Sequence, residues 1–151
     1  MSRKLKFIGL IIDNRPTIAV LFEVPAFHCS KIINFLVDTG SAFSAITEKE
    51  ANLLELDRAF LPEAKQEAIG FGGTFKNKII NHPVILTFKS QKDEHKITYS
   101  SGFQIICIPP DVTHEEREKI LRYTPSVLGM DILRQFQVYV DKRKVELTLV
   151  S

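Results

Sequence analysis

One carboxylate is delivered from an apolar run into a turn of small residues: Phe35-Leu36-Val37-Asp38-Thr39-Gly40-Ser41-Ala42. Ile32, Ile33, Phe35, Leu36 and Val37 form a nearly continuous apolar stretch, the pattern of a strand buried on both faces, and the stretch stops at Asp38. Gly40 is open to backbone angles closed to other residues, and Ser41 and Ala42 let neighbouring atoms come close. A carboxyl group held there by backbone, with apolar surroundings behind it and open space in front, is placed for general acid or base chemistry. Read as residues alone, the same run also fits a strand that ends in an Asx-type turn.

Other chemistry-bearing groupings are poorer. Gly70-Phe71-Gly72-Gly73 lacks the Lys-Ser/Thr of a P-loop and the third spaced glycine of a dinucleotide fingerprint, so no phosphate site is expected. His28 lies beside Cys29, but His82, His95 and His114 are scattered and no ligand pair recurs at zinc spacing; no metal and no cofactor are expected. Cys29 and Cys107 have no turn motif that would make either a nucleophile. Asp131 and Asp141 also stand in apolar company, yet neither is followed by Thr/Ser-Gly, and Asp131 is placed to cap a helix N-terminus.

The elements that must position Asp38 are mostly strands. Residues 7–12, 17–24 and 31–37 read as strands separated by Asn14-Arg15-Pro16 and Pro25-Ala26-Phe27. Thr47 and Glu50 fit a capping box opening a short helix through Leu54, and Thr113 and Glu116 fit a second, opening a surface helix. A glycine-rich hairpin follows the first helix, then strands at 84–88, 96–99 and 103–108, with the charged run 91–95 as a solvated hairpin turn. Near the end, Phe136, Val138 and Val140, then Val145, Leu147 and Leu149, alternate with mostly polar residues, which predicts a terminal hairpin with one buried face.

With 151 residues and 44% hydrophobic content, the whole of 1–151 is expected to be a single domain, burying roughly 70% of its unfolded surface. A formal net charge of +2 gives no strong pull toward nucleic acid or membrane, and neither is an expected partner. The apolar stretch near the start is too short for a signal peptide or a span, and two cysteines in apolar contexts suit reduced core thiols, so a cytoplasmic location is expected.

Three segments in order carry a resemblance. Leu36-Val37-Asp38-Thr39-Gly40-Ser41, the glycine-rich 68–75 run Ala-Ile-Gly-Phe-Gly-Gly-Thr-Phe, and Val127-Leu128-Gly129-Met130-Asp131-Ile132-Leu133 resemble the catalytic turn, the flap and the late apolar-Leu-Gly-x-(Asp/Asn)-x-Leu stretch of retropepsin-like aspartic proteases. The resemblance covers about residues 17–150. It implies a mostly β acid-protease fold, a closed barrel with a flap hairpin and one or two short helices. It also implies an aspartic endopeptidase without metal or covalent intermediate. Because that chemistry needs two carboxylates and this chain has one such turn, a symmetric homodimer pairing Asp38 with its copy is the economical solution.

The same resemblance makes Thr39 a lock between the two turns, Gly40 a hydrogen-bond partner of the substrate backbone and Ser41 a partner for the outer oxygen of Asp38. Ile69, Gly70, Phe71, Gly72 and Gly73 become the flap over an extended peptide. Viral members pair an acidic residue two places after the catalytic glycine with an arginine after the late glycine; here those positions hold Ala42 and Met130, a pattern closer to cellular and prokaryotic members. The alternative reading keeps the fold but uses it as a dimerisation or peptide-binding module with little hydrolysis.

Overall fold

The alternating residues form strands close to where the sequence puts them, and a computed structural model describes residues 3–64, 68–70 and 73–150. β1 (Lys4–Ile12), β2 (Arg15–Val24) and β3 (Cys29–Val37) make an antiparallel meander. Asp13 and Asn14 close its first hairpin with φ of 51° and 61°, left-handed backbone that Asp and Asn tolerate better than most residues. Along β3 the inward residues are Ile33, Phe35 and Val37, whereas Ile32 is 65% exposed. The strand is thus buried on one face, not on both as its apolar run suggests, because no layer covers the outer face at Ile32 among the described residues.

The chain continues through β4 (Ala45–Thr47), α1 (Glu48–Leu53), β5 (Ala68–Gly70), β6 (Gly73–Ile80), β7 (Val84–Lys89), β8 (Glu94–Tyr99) and β9 (Phe103–Cys107). It ends with α2 (His114–Tyr123), β10 (Ser126–Leu128), α3 (Met130–Leu133), β11 (Gln137–Val140) and β12 (Lys144–Val150). The strands pair in the order β11-β12-β1-β2-β3-β10-β4-β9-β6-β5, and β2 also carries the β7–β8 hairpin as a branch. This is the mostly β architecture that the sequence predicts, with three α-helices among the described residues where one or two were expected. Among the described residues no ladder joins β11 to β5, yet Val145 and Leu147 from β12 share one core with Ile80 from β6. The inner faces of the sheet therefore close on each other by packing.

Two aromatic groups centre that core. Phe103 meets Phe22 at 5.1 Å, Tyr99 at 5.3 Å and Phe35 at 6.4 Å between ring centroids, all edge-on; Phe88 meets Phe136 at 5.1 Å and Phe7 at 5.9 Å. Edge-on pairs are worth about 0.5–1.5 kcal/mol beyond the area they bury. The first group lies against β3 just behind Asp38 and makes that strand a stiff mount.

Both helix starts follow their caps. The Thr113 hydroxyl accepts from the Glu116 amide at 3.1 Å while the Glu116 carboxylate accepts from the Thr113 amide at 3.2 Å, a complete capping box. At α1 only half of the expected box forms: Thr47 accepts from the Glu50 amide at 3.4 Å, but the Glu50 carboxylate turns to Lys31 at 2.9 Å. The ion pair across to β3 wins over the local bond.

Glu48, buried at the first position of α1, joins several elements. Its Oε1 accepts from Arg58 at 3.0 Å and from Arg117 of α2 at 2.7 Å, and its Oε2 accepts from the Ile108 amide at 3.1 Å. Apart from Ile120, which packs with Ile108, α2 buries little apolar surface, so this carboxylate is a principal anchor of the helix.

Candidate active site

Asp38 follows the last residue of β3, where the strand is held on both sides. On one side β2 runs antiparallel, with Thr17 opposite Leu36; on the other, β10 runs parallel, with Leu128 opposite Val37. The Asp38 amide continues the parallel ladder by donating to the Leu128 carbonyl at 3.1 Å. The chain then turns: the Ser41 amide donates to the Asp38 carbonyl at 3.2 Å and the Gly40 amide to Asp38 Oδ1 at 2.9 Å. The carboxylate is half-buried and fixed by its own turn, with Thr39 and Gly40 exposed beside it.

Gly40 does not use the left-handed backbone that the sequence suggested. It supplies an amide and room, since a Cβ there would stand 3.2 Å from Asp38 Oδ1. The Ser41 hydroxyl donates to the Phe43 carbonyl at 2.8 Å within this chain rather than to Asp38, because the turn brings that carbonyl closest. Among the described residues the Thr39 hydroxyl has no partner in its own chain.

The late motif docks under this turn. The Met130 amide donates to the Ser41 carbonyl at 2.8 Å and the Asp131 amide to the Ala42 carbonyl at 3.3 Å. A Cβ on Gly129 would meet the backbone oxygens of Ser41 and Phe43 at 2.7 Å, so only glycine lets the two segments approach this closely.

Asp131 is not the N-cap that the sequence predicts. Gly129 occupies the cap position, and Asp131 sits in the first turn of α3 with both oxygens engaged. Its Oδ1 accepts from the Ser44 hydroxyl at 2.6 Å and the Ile132 amide at 2.9 Å; its Oδ2 accepts from the Ser44 amide and the Tyr99 hydroxyl, each at 2.9 Å. The Ser44 hydroxyl in turn accepts from the Gly129 amide at 2.9 Å. Asp131 is therefore a strut beneath the Asp38 turn, with both of its oxygens taken up inside the chain. Ser44 is the residue a reading of the sequence passes over; a lone hydroxyl before the apolar Ala45-Ile46 was its one signal.

Burial first, and then the hydrogen bond to Asp131, push the Tyr99 hydroxyl up to about 12 from an ordinary 10.0. A group whose folded pKa is raised contributes stability that is fully present below the unfolded value and fades as pH climbs through the folded one. The strut should therefore weaken between about pH 10 and 12. Urea unfolding of the wild type and Tyr99→Phe is expected to show the wild type more stable at pH 9 and the difference shrinking by pH 12; a constant difference would remove Tyr99 from this role.

The glycine-rich segment forms the expected hairpin. β5 and β6 pair antiparallel with Ile69 opposite Thr74 and Gly70 opposite Gly73, while Phe71 and Gly72, which the sequence assigns to the flap, lie outside the described residues. β6 joins the Asp38 strand through β9, β4 and β10. Both cysteines are free thiols pushed up by burial, which keeps them protonated and poorly nucleophilic. Where the viral pattern has an acid and an arginine, Ala42 and Met130 are both exposed, with Phe43 exposed next to them. No helix among the described residues is long and apolar enough to cross a membrane.

No model of a known protein family matches the sequence, and no curated protein matches it either. Solved structures do. A retropepsin-like aspartic protease from Rickettsia conorii superposes with a TM-score of 0.54 at 19% identity, covering 100% of this chain and 96% of that one. The EIAV protease in complex with the inhibitor HBY-793 gives 0.47 at 24% identity, covering 82% and 88%. The retroviral protease-like domain of Ddi1 from Leishmania major gives 0.40 at 16% identity, covering 84% and 82%. End-to-end correspondence with the Rickettsia structure, together with the order of strands around Asp38, identifies the fold of this chain as that of the retropepsin-like aspartic proteases.

Proposed function

We propose that residues 1–151 form one domain of a homodimeric aspartic endopeptidase, in which Asp38 and Asp38 of the partner subunit share a water. The observation that carries this reading is the division of labour between the two motif carboxylates. Asp131 is consumed by four hydrogen bonds inside its own chain, whereas Asp38 accepts one bond from its own turn and stands at the surface. A second reacting carboxylate then has to come from a second copy.

In the dimer one Asp38, unprotonated, takes a proton from the water as its oxygen adds to the scissile carbonyl carbon. The protonated partner gives its proton to the carbonyl oxygen. Collapse of the tetrahedral adduct breaks the C–N bond as the amine nitrogen receives a proton from the dyad and one hydroxyl of the adduct returns its proton to it. The unpartnered Thr39 hydroxyl suits a bond to the other turn, and Gly40 one to substrate backbone. Ser41 rigidifies the turn through Phe43, and the hairpin bearing Ile69, Gly70, Phe71, Gly72 and Gly73 closes over the peptide and excludes water. The exposed Phe43 and Met130 offer apolar surface for a second copy where ionic bracing is missing. Two free thiols suit a reducing, cytoplasmic setting.

The test is cleavage of a diverse peptide pool across enzyme concentration. Activity per chain is expected to rise with concentration at the dilute end and level off when the dimer fills. Constant activity per chain down to full monomer would overturn the shared dyad, and a folded dimer without cleavage would favour the binding module.

A further inference from the structure

At the end of β3 away from Asp38, about 30 Å along the strand at roughly 3.3 Å per residue, the surface holds a cleft of about 420 Å³. Its floor is apolar and fixed, made by the buried Leu56 and Leu61. Its walls are two aromatic rings open to water: Phe60, 84% exposed, and Phe27, 43% exposed and braced edge-on against His82 at 4.9 Å. The rim carries Glu55 and Asp57.

Neither acid has an ion-pair partner among the described residues. The nearby cations are occupied. Arg58 is held by Asn52 at 2.6 Å and Glu48 at 3.0 Å, and Lys78 bonds the Leu61 carbonyl at 3.3 Å and pairs with Glu63 at 3.9 Å. Asp57 Oδ1 accepts the Ala59 amide at 3.0 Å, which orients its carboxylate on the loop. Negative charge beside open aromatic faces and an apolar floor is the environment that takes a guanidinium or ammonium group with an apolar stem, ion-paired at its head and stacked along its length.

We propose that this cleft is a second recognition site, separate from Asp38, which binds an extended segment of another protein carrying arginine or lysine next to an apolar residue. A cleft of this size accepts one or two side chains, so the interaction is a docking contact and not a full interface. The cleft also backs the root of the β5–β6 hairpin. The Ile79 amide donates to the Pro62 carbonyl at 2.8 Å and the Ala64 amide to the Asn77 carbonyl at 2.9 Å, so the loop that forms the floor is tied directly to β6.

The test uses the blocked tetrapeptide Leu-Arg-Phe-Arg amide and amide chemical shifts of the full chain carrying Asp38→Asn, so that hydrolysis plays no part. Saturable shifts are expected at residues 55–61 and 81–82. Binding should weaken at least about fivefold in Phe60→Ala and in Glu55→Lys, and vanish when both arginines of the peptide are replaced by glutamate. Both substitutions fall at exposed positions, and an unchanged melting midpoint verifies that the fold survives. Shifts centred elsewhere, equal affinity in both variants, or no saturable binding would each overturn the proposal. None of these outcomes depends on whether Asp38 is catalytic.

Discussion

Asp38→Asn is expected to lower kcat/KM for any peptide that the wild type cleaves by about 10³-fold, within the range that a positioned acid or base contributes. Asn keeps the shape of the side chain, and its oxygen can still accept the Gly40 amide that Asp38 Oδ1 accepts at 2.9 Å. What it loses is the ability to take a proton from water or to give one to a carbonyl oxygen. Because the residue is half-buried with one local bond, the melting midpoint should move little, which separates lost chemistry from lost fold. Mixing the wild type with an excess of Asp38→Asn sharpens the result. If subunits exchange, activity should fall faster than dilution alone predicts, since mixed dimers carry one carboxylate. A variant that keeps more than about a tenth of the activity would remove Asp38 from the mechanism, that figure lying below the smallest effect expected of a general acid or base.

The second large effect is on stability. Glu48→Gln leaves Arg58 and Arg117 facing an uncharged group, and a rotated amide would also face the Ile108 amide with a donor. Breaking a buried pair costs about 3–5 kcal/mol, but Arg117 is more than a third exposed and can turn to water, so about 2–4 kcal/mol is expected here. For a chain of this size that is a fall of roughly 5–15 °C in Tm. Arg117→Ala should cost less, and in the Glu48→Gln background it should cost less still, because the pair is already broken. A fall below about 2 °C for Glu48→Gln would show that the carboxylate is solvated in solution. Helix α2 should also lose amide protection before the sheet does, since its apolar contact with the body is small.

The strands were legible because their signal is local. β1, β2 and β3 begin two to three residues before the apolar runs that announce them, since the interrupted stretches Lys4-Leu5-Lys6, Arg15-Pro16 and Cys29-Ser30 extend a ladder without marking it. Thr113 and Glu116 were legible as a capping box because each needs only its neighbour three residues away. Glu50 shows the limit of that logic, since Lys31 from another strand competes for the same carboxylate. The exposed Ile32 shows another: an apolar run reports how many residues could be buried, not how many layers there are to bury them.

At the site, Asp38 could be read because its whole turn is contiguous. Asp131 could not, because its role is set by Ser44 and Tyr99, which lie 87 and 32 residues away. Nothing in a local window distinguishes an acid that caps a helix from one that braces a distant turn. Asp38 and Asp131 are alike as residues and differ only in what surrounds them.

The pairing of β3 with β10 sets a timetable as well as a shape. The Asp38 amide bonds Leu128, and the strut beneath the turn joins residues 87 positions apart, so the site is assembled from both ends of the chain. During synthesis at about 5–20 residues per second, the Asp-Thr-Gly turn emerges several seconds before the segment that holds it in place. Contacts of this separation also slow folding once the chain is complete. A nascent polypeptide that already contains Asp38 therefore has the turn but not yet the Leu128 ladder bond and the Asp131 strut that hold it in place.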